Sequence, residues 1–198
     1  MELLSGDNTT YIIKGYDSSS SSNLFTWLIP STVTSIIFTD IDIAIDATLI
    51  DVDDDGDGGV VAWVDTSDNT KMYVSTQYAG IKVEGNTNSS KLFYNNSNIT
   101  ELNLSNLDTS NVKDMSYMFS GCVRLSKLID FNLNTNSATD MRAMFYNCSK
   151  LTSLDLSSFN TNKVSYMDSL FTNCHNLTTI KVGNKFKWIT TLNKLGLV

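Results

Sequence analysis

The stretch DMSYMFSGC, Asp114–Cys122, returns as DMRAMFYNC from Asp140 and as YMDSLFTNC from Tyr166. The copies stand 26 residues apart, so Met115, Met141 and Met167 form one column and Phe119, Phe145 and Phe171 another. Cys122, Cys148 and Cys174 keep the same step, as do Leu125, Leu151 and Leu177, then Leu128, Leu154 and Ile180. A valine or alanine series (Val112, Ala138, Val164) and a threonine series (Thr109, Thr135, Thr161) complete the register. Upstream, KLFYNNSNITEL is half a copy, with Phe93 in the phenylalanine column and Asn96 in the cysteine column. Downstream, Ile180 and Val182 open a fourth unit that then departs from the pattern. A fixed period of this length marks units that bury their apolar faces only against one another.

Within a unit, LNL, LDL and IKV alternate apolar and polar residues, the period of a short half-buried strand. Val112, Met115, Met118 and Phe119 fit one face of a helix, with Ser110 or Asn111 as its N-cap. A strand followed by a helix, with leucines at LxxLxL spacing, predicts an α/β leucine-rich repeat solenoid of short parallel strands plus helices. A small β-rich N-terminal domain precedes it. The expected boundaries are residues 1–88 for that capping domain and 89–198 for the repeats with a C-terminal cap. Trp188, Leu192 and Leu195 supply the cap's own helical pattern. The cysteines read as a buried column of small apolar side chains carrying free thiols.

The repeats LNLSNLDTSNVKDMSYMFSGCVRLSKL and LTSLDLSSFNTNKVSYMDSLFTNCHNLTTI resemble the 26-residue repeats of the BspA-like leucine-rich surface proteins. The segments LIPSTVTSIIFTD, GGVVAWVD and MYVSTQYAGIKV are similar to the β-rich leader of some gut-bacterial and phage-encoded members. The resemblance implies a cell-surface or secreted protein that binds host proteins or other cells, and it implies no catalysis. A virion or tail-associated recognition domain and a structural spacer are the alternatives. The middle copy departs from the pattern, because Asp130 stands where Leu104, Leu156 and Val182 stand in the others.

Before the repeats, Ser35–Phe38, Val60–Val64 and Met72–Val74 are β-like, and DTSDNTK suits a hairpin loop between the last two. Leu24–Leu28 reads as a short helix ended by Pro30. The formal charge of −7 argues against a nucleic-acid partner. The charge is uneven: residues 40–68 hold ten aspartates, whereas only lysines follow Asp168. Without an apolar run of about 20 residues, no membrane insertion is expected. The N-terminus, MELLSGDNTT, lacks the basic and apolar regions of a secretion signal.

Three constellations carry functional expectations. Asp51, Asp53 and Asp55 with Gly56 match the opening of an EF-hand loop, but Ala62 occupies the position of the bidentate glutamate. That leaves weak calcium binding set against an acidic turn, and no other cofactor is expected. On the strand layer, residues alternating with the inward leucines should face a protein or cell-surface ligand. Asn103, Ile129, Phe131, Asp155 and Lys181 are the candidates. Ile129 and Phe131 read either as an exposed hot spot on a polar face or as a bulge that turns Phe131 inward and Asp130 outward. For catalysis, His175 is the only histidine and directly follows Cys174, where adjacent side chains point apart.

Overall fold

A computed structural model of the chain describes residues 11–19, 22–40, 47–54, 56, 58–189 and 192–197. Among these residues helix is confined to α1 (Leu24–Leu28) and α2 (Leu192–Leu195). The expected α/β leucine-rich repeat solenoid does not form. The chain is mostly β, and its strands divide among separate sheets of mixed direction.

The reason lies in the stretch on which the repeat was recognised. Two residues in each copy adopt a left-handed backbone. One series is Lys91, Tyr117, Ala143 and Ser169, with φ of 59°, 57°, 51° and 60°. The other is Asn95, Gly121, Asn147 and Asn173, with φ of 57°, 79°, 58° and 64°. A helix cannot pass through such positions. The amides turn instead to the neighbouring copy. Met115, Tyr117, Phe119 and Gly121 donate to the carbonyls of Asp140, Arg142, Met144 and Tyr146 at 2.8–2.9 Å. Met141, Ala143, Phe145 and Asn147 repeat this toward Tyr166, Asp168, Leu170 and Thr172 at 2.8–3.0 Å. The intervening amides close tight turns three residues back, as in Met118 to Met115 and Cys122 to Phe119. The 3.6-residue spacing of Met115, Met118 and Phe119 is thus the spacing of a chain of turns.

Side chains follow the backbone. Phe93, Phe119, Phe145 and Phe171 stack nearly face to face, with centroids 5.4, 5.3 and 5.9 Å apart. All four are buried, as are Met115, Met141 and Met167. Each threonine hydroxyl reaches one copy onward: Thr109 to the Asn134 carbonyl at 3.1 Å, Thr135 to Asn160 at 3.1 Å, and Thr161 to Lys187 at 3.0 Å. Each cysteine reaches one copy back, Cys122, Cys148 and Cys174 donating Sγ–H to the carbonyls of Phe93, Phe119 and Phe145 at 2.9–3.1 Å. The three thiols are free. Burial pushes Cys122 up to about 12 and Cys174 up to about 11, because a thiolate there would lose its water.

The strand layer begins in the N-terminal part. In a six-stranded sheet, β3 (Ser35–Phe38) lies between β6 (Lys71–Ser75) and β8 (Glu101–Asn103), parallel to both. Beyond β6 come β5 (Val61–Val64) and then β4 (Ile50–Asp51), both antiparallel, and β5 and β6 form the hairpin over Asp65–Thr70. At the far edge β10 (Lys127–Ile129) pairs with β8, Leu102 opposite Leu128. A separate sheet joins β11 (Ser153–Leu156) to β12 (Thr179–Val182) in parallel, Leu154 opposite Ile180. Two small pairs complete the fold, β1 (Tyr16–Asp17) with β2 (Ser22–Asn23) and β7 (Val83–Glu84) with β9 (Leu107–Asp108). Phe25 of α1 meets Phe38 and Phe93 at 6.3 and 6.0 Å, so the phenylalanine column ends against the N-terminal part. At the other end the amides of Ser169 and Phe171 donate to Lys194 and Leu195 at 2.6 and 2.8 Å.

Left-handed residues other than glycine cost roughly 1–2 kcal/mol each. Ser169→Gly is therefore expected to hold or raise the urea midpoint, while Ser169→Val, β-branched at φ 60°, lowers stability by about 2 kcal/mol in the same titration.

Candidate functional site

In register with its neighbours, β10 should pair with β11 as β8 pairs with β10. It does not: the two strands belong to different sheets. The phenylalanine stack passes beneath the break without widening, at 5.3 Å between Phe119 and Phe145. The parting is therefore local to the strand layer, and its cause is Asp130. Leu104 and Leu156, in the same column, are buried at 3 % and 0 % exposure. A carboxylate buried there without a partner would cost several kcal/mol. Asp130 instead takes φ 50° and lies exposed, ending β10 at Ile129. The next side chain, Phe131, swings onto the interior and meets Phe119, Phe145 and Phe159 at 5.8, 5.9 and 5.8 Å. Of the two readings of the middle copy, the structure has Phe131 turned inward and Asp130 outward, reached where β10 ends and without an extra residue in its one-to-one pairing with β8.

The parting leaves a cleft of about 340 Å³. Leu128, Phe131, Leu151 and Leu154 form its apolar part, and Lys127, Asn132, Ser153 and Asp155 are among its polar residues. The facing edges of β10 and β11 share no ladder hydrogen bonds. Charges on the rim are matched along each sheet: Lys127 pairs with Glu101 at 2.7 Å and Lys181 with Asp155 at 2.8 Å. Hydrogen bonds from Lys181 and then Ser157 hold the Asp155 carboxyl down at about 2. Among the candidate ligand-binding residues, Phe131 and Asp155 line the cleft. Ile129 is half-buried at the end of β10, next to Asp130. Lys181 reaches the cleft only through Asp155. Asn103 lies on β8, where its side chain accepts the Ser105 amide at 3.0 Å.

The acidic stretch closes a turn. Asp53 is fully buried and accepts the amides of Asp54 and Gly59 at 2.9 and 2.8 Å. Asp51 accepts the Asp53 amide at 2.9 Å and lies 3.7 Å from the Lys14 ammonium. Asp55 lies outside the described residues. Among the described residues no group of three or more His, Cys, Asp or Glu is placed to hold a metal ion. His175 is exposed, and no hydrogen bond joins it to Cys174, whose thiol serves the Phe145 carbonyl. Among the described residues no helix is long and apolar enough to cross a membrane.

Fold and cleft together define a repetitive, mostly β protein whose copies interlock through main-chain hydrogen bonds. A family model described as "Mycoplasma protein of unknown function, DUF285" matches residues 87–193, more than half of the chain, and the protein belongs to that family. No curated protein and no solved structure matches it. The match supports kinship at this level and not the leucine-rich repeat assignment.

Sequence pattern pointed to the middle copy as exceptional. It could not show that β10 and β11 would part, because Asp130 relieves its burial through a backbone dihedral that leaves the copy's length unchanged.

Two measurements check this geometry. Phe131→Ala, which removes contacts with three phenylalanines, is expected to cost about 2–3 kcal/mol in chemical denaturation. Lys181→Met should move the Asp155 carboxyl from about 2 back toward its ordinary 3.8 in an NMR titration. A carboxyl lowered on folding stabilises the protein above pH 3.8, and that contribution fades as pH falls through 3.8 toward 2. The Lys181→Met protein should therefore lose less stability than the parent across that window.

Proposed function

We propose that this protein is a non-enzymatic recognition or adhesion module, displayed at a cell surface or secreted, that binds a protein or cell-surface ligand through its exposed strand face. The observation that carries the reading is the cleft of about 340 Å³ between β10 and β11. Its volume lies in the ~300–1,000 Å³ range of small binding sites. An apolar floor with a polar rim is the form of an interface anchor site, where one aromatic or aliphatic side chain enters and surrounding contacts exclude water.

Magnitudes favour a single inserted side chain over an inserted strand. Adding a strand between β10 and β11 would need about two strand spacings, each ~4.8 Å. The Phe119–Phe145 distance of 5.3 Å holds the copies one spacing apart. Rim charges already paired at 2.7 and 2.8 Å leave the cleft without an unmatched charge, so shape and apolar burial dominate the selectivity. Surface display rests on the resemblance of the 26-residue unit to BspA-like surface proteins.

The test is adhesion of the fluorescently labelled chain to a panel of immobilised extracellular-matrix proteins and to intact cultured cells. Saturable binding to at least one surface is expected. Ser153→Trp, an exposed position on the rim, should fill the cleft and weaken that binding tenfold or more with the thermal midpoint unchanged. Absence of binding across the panel, or binding indifferent to the tryptophan, would overturn the proposal.

A further inference from the structure

The turns that interlock the copies build a second concavity, away from the strand face. It has a volume of about 320 Å³ and is lined by Tyr94, Tyr117 and Tyr146 together with Asn95, Asn147 and Ser120. Tyr94 and Tyr117 meet edge to face at 6.4 Å. Tyr117 and Tyr146 are exposed at 38 % and 37 %. Gly121 clears room for an amide: a Cβ there would lie 2.1 Å from Asn95 Oδ1, so the Asn95 side chain rests directly over the glycine. Tyr146 accepts a hydrogen bond from Asn173 Nδ2 at 3.3 Å, which orients its ring.

The lining restricts the ligand. No charged side chain lines the pocket, so a phosphate would find no counter-charge in the lining, and the Lys91 ammonium already over the Tyr94 ring, 5.5 Å from its centroid, opposes a second cation at the tyrosine faces. A purely apolar ligand would bury amide and hydroxyl groups without partners. An extended peptide grips through main-chain hydrogen bonds, but the main chain here is already committed. The amides of Asn95, Gly121 and Asn147 donate to Ser120, Tyr146 and Thr172 at 2.8 Å. What remains is ring faces, amides and hydroxyls, all neutral, repeating along the stack. That set matches a neutral polyhydroxylated chain whose sugar rings offer C–H faces to aromatic rings and hydroxyls to amides. The geometry points to this pocket as a binding site for neutral oligosaccharide, separate from the cleft between β10 and β11 and independent of what that cleft binds.

Isothermal titration of the intact chain with cello-, chito-, malto- and manno-hexaose tests the assignment. At least one should bind saturably, and Tyr146→Ala should weaken it tenfold or more. Asn147→Gly is a second variant that spares the fold, because Gly121 already occupies the equivalent left-handed position in the preceding copy. It should weaken the same sugar several-fold with an unchanged thermal midpoint. Ser153→Trp should leave sugar binding untouched, which separates this site from the strand face. No binding by any of the four sugars at millimolar concentration overturns the assignment. So does binding that survives both Tyr146→Ala and Asn147→Gly, or binding that Ser153→Trp abolishes.

Discussion

Alternate amides in each copy donate to carbonyls of the next, and the rest of the structure depends on that exchange. Met115, Tyr117, Phe119 and Gly121 fix the distance between two copies, and Met141, Ala143, Phe145 and Asn147 fix the next at the same value. Once that distance is set near a single strand spacing, the phenylalanine rings have no arrangement open to them but stacking at 5.3–5.9 Å. The threonine and cysteine columns then find carbonyls within reach, so buried polar atoms are satisfied without water. No buried side-chain nitrogen or oxygen among the described residues lacks a partner. Each hydrogen bond contributes only about 1 kcal/mol net. Leaving one unmade in a buried interior would cost more, so the interlock acts as a unit.

Much of this was legible in the sequence. The columns of Met115, Phe119 and Cys122, with their partners 26 residues on, identify what is buried and what faces it. The β5–β6 hairpin and the short helix Leu24–Leu28 were also readable from local pattern. The conformation between columns was not. Helical periodicity and a succession of tight turns both bring residues three or four apart onto one face, and Val112, Met115, Met118 and Phe119 satisfy either. The discriminating sign was faint: the second left-handed series, Asn95, Gly121, Asn147 and Asn173, holds only glycine and asparagine, the residues that enter the left-handed region most readily. The companion column of Lys91, Tyr117, Ala143 and Ser169 hides the same geometry behind side chains that do not advertise it.

The candidate site shows a different limit. Asp130 was visible as the one polar residue in an apolar column, and a bulge was one of two foreseeable outcomes. The separation of β10 from β11 was not foreseeable, because strand pairing depends on a neighbour's backbone as much as on a strand's own residues. One carboxylate that will not be buried therefore turns a regular layer into one with an opening, while the stack below it carries on undisturbed.

The left-handed column has a consequence for how such a surface changes over time. Lysine, tyrosine, alanine and serine all occupy it, so its backbone is dictated by adjoining copies and not by the occupant's own preference. At its exposed member, Tyr117, exchange among residues without a branched β-carbon alters what the surface displays and asks little of the scaffold. A chain built this way can diversify its outer character position by position, under selection from whatever it meets, while its architecture stays constant.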